Sequence, residues 1–222
     1  MSKEKVEDLI NEANSIDLDE RLKALGKARL ANHKPTYLTI DDVLSSELSE
    51  KLIALVNERG AHSKWNDNPN CLEYQVGNPF SGAKLQCDKK VKDVFPELFA
   101  ISEIILRQIN RNFKNSSFQS ITGHHGFWIL KYEEGGEFSP HCDISHDEGG
   151  IQPPVLATAS ILLNDAFEGG DVVLGDSRGT PFKLGRKVRS AAIWDGTTNH
   201  AVLPITKGFR YVLIIHYVGE EK

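Results

Sequence analysis

The second half of this chain is punctuated by glycine turns, and that punctuation limits what it can fold into. Glu134-Gly135-Gly136, Glu168-Gly169-Gly170 and Gly175-Asp176 separate short β-type runs at residues 126–132, 157–163, 171–174, 187–194 and 209–217. Runs of this length, bounded by glycine, read as strands. Many short strands with such turns predict an antiparallel sandwich, jelly roll or barrel. Side chains alternate along a strand, so each strand offers one face to an interior.

The first half has the other periodicity. Residues 3–31 suggest two short amphipathic helices, one with Val6, Leu9, Ile10 and Ala13 on a face, the other with Leu22, Leu25, Ala28 and Leu30. Tyr37-Leu38-Thr39-Ile40 reads as a strand. A helix follows, with Ser45 or Ser46 as cap and Leu48, Leu52, Ile53, Leu55 and Val56 inward; Gly60 ends it. Residues 61–90 are rich in Asn, Gly, Pro and Ser and predict an irregular region. From Lys90 to Phe113 a single apolar stripe returns, through Val91, Val94, Leu98, Ile101, Ile105 and Ile109. Pro96 cannot sit inside that helix, so the continuous part is expected to begin there. The class is α+β: helices packed on a β-core.

Within the β-rich half, one constellation carries chemistry. His141-Cys142-Asp143 places an imidazole and a carboxylate two residues apart, hence on the same side of one strand. His200 lies 57 residues beyond Asp143, and Arg210 ten beyond His200, at the start of the last strand. Two nitrogens and one oxygen on one face of a metal leave the opposite positions open. The same donors also suit zinc in a hydrolase. By itself the His-x-Asp pattern is weak; order and context strengthen it. Cys142 should point away from the metal, and Trp128 and Trp194 read as core or pocket wall. His124, His125 and His146 read as solvated or hydrogen-bonded rather than as ligands.

Composition removes several alternatives. The 222 residues suit one domain, or one domain with a helical flank. A net charge of -5 offers no phosphate-binding surface, so nucleic acid is not an expected partner. Three cysteines without CxxC spacing read as reduced thiols in a cytoplasmic chain. No apolar run is long enough to span a membrane, and no N-terminal signal core is present. The oligomeric state is open.

From Trp128 to His216 the chain resembles the prolyl 4-hydroxylase-like branch of the Fe(II)/2-oxoglutarate-dependent dioxygenases. The matching pieces are Tyr132-(Glu-Glu-Gly-Gly-Glu)-Phe138-Ser-Pro-His141-Cys-Asp143, then Leu163-Asn164 with Glu168-Gly169-Gly170-Asp171, then His200 and Gly208-Phe209-Arg210-Tyr211. Four such motifs in order make a specific signal over roughly the last 95 residues. The earlier residues match only in kind.

The resemblance implies a double-stranded β-helix, of jelly-roll or cupin type, with packed N-terminal helices. It implies Fe(II) held by His141, Asp143 and His200, and 2-oxoglutarate as co-substrate with its far carboxylate on Arg210. A planar guanidinium suits a carboxylate bidentately. Ascorbate would serve as reductant. Tyr132, Thr158, Ser160 and His216 are further candidate co-substrate contacts. His216 stands where many relatives carry an aromatic residue and nucleic-acid demethylases a second arginine; it is a pocket group or a satisfied core histidine. Leu162 replaces a tyrosine that some relatives use. Asp143 favours hydroxylation, or desaturation or cyclisation, over halogenation, because related halogenases carry a small residue there. The implied reaction hydroxylates an unactivated C–H bond with O2, releasing succinate and CO2. Its substrate would be a prolyl residue, a free or carrier-bound amino acid, or a related metabolite. The expected organisation is a helical flank at 1–35 and a dioxygenase domain at 36–222, its metal-binding core at about 122–218. A metal-dependent hydrolase and a non-catalytic jelly-roll binding module are the competing readings.

Overall fold

The computed structural model describes residues 37–59, 63–64, 71–75, 95–113, 118–144, 154–175 and 181–221. The two helices expected within 3–31 and most of the 61–90 segment lie outside them.

The strand expected at Tyr37–Ile40 forms as β1, and helix α1 follows at Ser46–Arg59. Its cap is Ser45, whose Oγ accepts the Leu48 backbone N–H at 3.1 Å. Strands β2 (Ser63–Lys64) and β3 (Cys71–Gln75) precede helix α2 (Pro96–Asn112), which starts at the proline as expected. Leu98, Ile101, Ile105 and Ile109 make its buried stripe.

The remaining strands are β4 (Phe118–Tyr132), β5 (Phe138–His141), β6 (Val155–Leu162), β7 (Phe167–Gly169), β8 (Val172–Gly175), β9 (Pro181–Lys183), β10 (Ala191–Asp195), β11 (His200–Val202), β12 (Ile205–Gly208) and β13 (Arg210–Glu221). Among the described residues they form a seven-stranded sheet, β1-β10-β6-β13-β4-β3-β2, a four-stranded sheet, β5-β11-β8-β9, and the pair β12-β7. All recorded pairings are antiparallel. The expected run at 187–194 shortens to β10, because Lys187 to Ser190 turn; Arg189 adopts a φ of 62° there. β4 begins earlier than expected because it pairs along nearly the whole of β13.

Strand alternation sorts the large sheet into two faces. Ala157, Ala159 and Ile161 of β6, Tyr211, Leu213, Ile215 and Tyr217 of β13, Phe127 and Ile129 of β4, and Ala191 and Ile193 of β10 form one buried cluster with the helical stripes. Burial of this kind contributes about 25 cal/mol per Å² of apolar surface, so this helix-on-sheet layer is the main stabilising contact. Tyr217 reaches into it and donates its hydroxyl to the Ser102 carbonyl at 3.1 Å. The alternate residues face the other way: Leu130, Tyr132 and Val212 pack with Phe138, Phe167, Val202 and Ile205 in a second cluster. The interior between the sheets therefore receives Arg210 and His216 from β13, Thr158 and Ser160 from β6, and Trp194 from β10. This double-stranded β-helix architecture, with helices on its outer face, is the one expected from the sequence.

Candidate active site

β5 and β11 bring the two histidines together. His141 and His200 are direct partners in their antiparallel ladder, with ring centroids 4.2 Å apart. Asp143 is not on the strand with His141, as the two-residue spacing had predicted; β5 ends at His141. The chain then leaves the ladder toward the large sheet, where the Ile144 N–H donates to the Gly196 carbonyl at 2.9 Å. That departure still carries the carboxylate to the same point. Asp143 Oδ1 lies 3.4 Å from His141 Nε2 and 3.6 Å from His200 Nε2.

Each imidazole is oriented by a backbone carbonyl. His141 Nδ1 lies 2.8 Å from the Ser139 carbonyl oxygen and His200 Nδ1 3.0 Å from that of Thr198. A carbonyl can only accept, so each ring carries its proton on Nδ1 and turns an Nε2 lone pair toward the centre. Phe138 stacks on His141 at 4.1 Å, and Trp194 flanks His200 at 4.8 Å. The three ligating atoms all lie within 4.8 Å of one another. Donors about 2.1 Å from a common ion, at right angles, stand roughly 3 Å apart, so this set fits a divalent metal with little adjustment.

The electrostatics suit a cation. Burial pushes the Asp143 carboxyl up, but the positive charge that His200, His141 and His216 take on in acid, with a hydrogen bond from His141, outweighs it and holds it well below the usual carboxylate range. Two donors support that direction: Thr158 Oγ1 donates to Asp143 Oδ2 at 2.5 Å and Trp194 Nε1 donates to the same atom at 3.3 Å. Burial pushes His200 down to about 4, the Asp143 charge opposing it only in part. Burial also lowers His216. At neutral pH an anionic carboxylate therefore stands beside neutral His200 and His216, a state ready for a metal.

The other candidate residues fall as follows. Arg210 is 3% exposed, and its guanidinium carbon lies 4.9 Å from the centroid of the Tyr132 ring, its ladder partner. Arg210 and Ser160 line one cavity with Leu162, Phe167, Gly170 and Ala192. Ser160 is two residues beyond Thr158, a step of about 6.6 Å along β6. The cavity thus begins one inward residue away from the Asp143 contact. His216 packs on Trp128 at 4.9 Å, in register with Thr158. Cys142 points away, donating toward the Thr197 carbonyl and Asn199 Oδ1, each at 3.3 Å. His124 sits against Phe99 and Phe127 on the helical side. His146 lies outside the described residues. Sequence reasoning missed the bond from Trp194 to Asp143. Alternation along β10 was the available signal, since Ala192 and Trp194 share the inner face.

Comparison with known proteins agrees with this geometry. A family model described as the 2OG-Fe(II) oxygenase superfamily matches residues 127–218. A PKHD-type hydroxylase of Pseudomonas putida (strain W619) is 27% identical over 172 residues, spanning 72% of this chain and 70% of its own. One of Xanthomonas campestris pv. campestris (strain 8004) is 28% identical over 187 residues, 78% of this chain and 74% of its own. Among solved structures, a Trichoplax adhaerens prolyl hydroxylase in complex with a hypoxia inducible factor peptide fragment superposes with a TM-score of 0.58 at 17% identity, covering 90% of each chain. A Pseudomonas putida prolyl-4-hydroxylase gives 0.53 at 17% identity, covering 89% of this chain and 98% of that one. These two share the fold.

Over residues 127–218 the chain matches the 2OG-Fe(II) oxygenase superfamily, and the chain resembles the Fe(II)/2-oxoglutarate-dependent dioxygenases. The resemblance is to their prolyl 4-hydroxylase-like branch, and the similar proteins include PKHD-type hydroxylases. That superfamily implies Fe(II), 2-oxoglutarate and O2. Among the described residues no helix is long and apolar enough to cross a membrane.

Proposed function

We propose that this chain hydroxylates an unactivated C–H bond of a prolyl residue, or of a free or carrier-bound amino acid or related metabolite. His141 Nε2, Asp143 Oδ1 and His200 Nε2 would hold the ferrous ion, and ascorbate would keep it reduced. When bound, iron and 2-oxoglutarate supply the oxidising chemistry that inserts one atom of O2, with release of succinate and CO2.

The protein's own residues bind and orient. Arg210 receives the far carboxylate of 2-oxoglutarate, and the apolar lining of Leu162, Phe167 and Ala192 accommodates its methylenes. A buried guanidinium lining a cavity that Arg186 and Lys187 also border favours a carboxylate strongly over a neutral ligand. Tyr132 stacks beneath the guanidinium and limits its swing. Ser160, on the cavity wall, offers a hydroxyl to the co-substrate. Trp128 and His216 form an inner wall near the metal and exclude water from it. The cytoplasm is the compartment that fits reduced cysteines.

The observation that carries this reading is convergence. A His-Asp-His centre and a buried arginine from different strands face one interior. A zinc hydrolase would use the first and give the second no role. The test is succinate release from 2-oxoglutarate by the iron-loaded chain, assayed against amino acids and proline-containing peptides. Stimulation by one class identifies the substrate. Absence of any iron-dependent turnover of 2-oxoglutarate, coupled or uncoupled, would refute the reading.

A further inference from the structure

Asp143 touches the two imidazoles with one oxygen and the large sheet with the other. Oδ1 faces His141 and His200, while Oδ2 accepts from both Thr158 Oγ1 and Trp194 Nε1. These two donors are not independent in the fold. Thr158 and Trp194 are direct partners across β6 and β10, and His216 occupies the same rung on the other side of Thr158. A single rung of the large sheet thus grips a carboxylate that arrives from the opposite sheet. An indole N–H can only donate, and a hydroxyl facing an ionised carboxylate must donate, so both bonds run toward Oδ2.

We propose that Thr158 and Trp194 are positioning residues that restrict Asp143 to one-oxygen metal binding. The inference rests on the reading of His141, Asp143 and His200 as metal ligands. A carboxylate left to rotate can bind a metal through both oxygens and occupy one more coordination position. Here two-oxygen binding would break both bonds to Oδ2. The rung therefore keeps a position open for co-substrate or O2, and it fixes the angle at which Oδ1 meets the metal. Trp194 adds a second constraint by packing its ring against His200. Thr158 thereby acts on the metal through Asp143, rather than on the co-substrate.

The test uses the full chain and Co(II) as probe, because Co(II) reports coordination number in its visible absorption. Thr158→Val removes the hydroxyl at nearly constant volume, and Trp194→Phe removes the N–H while keeping an aromatic ring. Both should weaken Co(II) binding by about 10- to 100-fold, the usual effect of losing an outer partner of a ligand. Both should also shift the Co(II) spectrum toward the weaker bands of a higher coordination number, and Thr158→Ser should restore affinity and spectrum. Wild-type affinity and spectrum in Thr158→Val would overturn the proposal. So would a raised 2-oxoglutarate KM with unchanged Co(II) binding, which would make Thr158 a co-substrate contact. If Thr158→Val fails to fold, Trp194→Phe decides on the same two readouts. Asp143→Ala separates the premise from the proposal: undiminished Co(II) binding by that variant would remove the ligand assignment itself.

Discussion

His141 and His200 are cross-strand partners, 59 positions apart in the chain yet paired Cα to Cα in the β5–β11 ladder. Two of the three candidate metal ligands are therefore seated on paired strands, while Asp143 follows directly after the end of β5. Sites seated on strands hold their geometry when a side chain is removed, and the first prediction uses that. Asp143→Ala should reduce succinate release to background while the thermal unfolding midpoint of the metal-free chain stays within a few degrees of wild type. Substantial 2-oxoglutarate turnover by the variant would contradict the iron assignment.

Arg210 supplies the charge at the other end of the cavity. A hydrogen bond to a charged partner contributes about 1.5–3 kcal/mol, or roughly 10- to 150-fold in binding. Arg210→Ala should raise the KM for 2-oxoglutarate by that factor and leave the KM for the hydroxylated substrate nearly unchanged. Steady-state kinetics with each substrate varied in turn checks this. Equal effects on both would remove Arg210 from the co-substrate site.

Gly170 lies under the Arg210 stem in a left-handed conformation, with φ of 66°. A Cβ there would stand 2.3 Å from Ile205 Cδ1 and 3.1 Å from Arg210 Cδ. Gly170→Ala should cost about 1–3 kcal/mol through backbone strain and overpacking. For a chain of this size that lowers the melting temperature by roughly 2–10 °C. The same variant should weaken 2-oxoglutarate binding, because the arginine must move. Calorimetric melting and co-substrate titration of one preparation test both halves; an unchanged melting point would show that the turn can relax.

Asp171 closes the hairpin beside the cavity. It accepts from Lys183 Nζ at 3.0 Å and Arg186 Nε at 2.7 Å. Burial pushes its carboxyl up, but Lys183 and Arg186 prevail and hold it below the ordinary carboxylate value. A group depressed in the folded state stabilises at pH above its unfolded value and loses that contribution as pH falls through its folded one. Wild type should therefore exceed Asp171→Asn in melting temperature at pH 6–7, and the gap should close below about pH 4. A gap that widened in acid would reverse the sign and reject the assignment.

The outer layer was legible because it obeys simple periods. The α2 stripe follows a 3.6-residue repeat that a single sequence displays, and Pro96 marks its start. Ser45 announced the α1 cap by residue type alone. Alternation placed Thr158, Ser160 and Leu162 on one face, and Arg210 with His216 on another, before any partner strand was known. The identities of the candidate ligands were also readable, from order and spacing matched to a family pattern.

Which atoms meet was decided by tertiary structure. The sequence placed Asp143 on the His141 strand, but long-range pairing ends that strand one residue after Pro140 and routes the carboxylate to the opposite sheet. Trp194 looked like wall and proved to be a donor, because only strand register sets it opposite Thr158. Local sequence determines which way a side chain faces, since that depends on neighbouring backbone dihedrals. What it faces depends on pairings between strands tens of residues apart, and those are chosen by burial of the whole core.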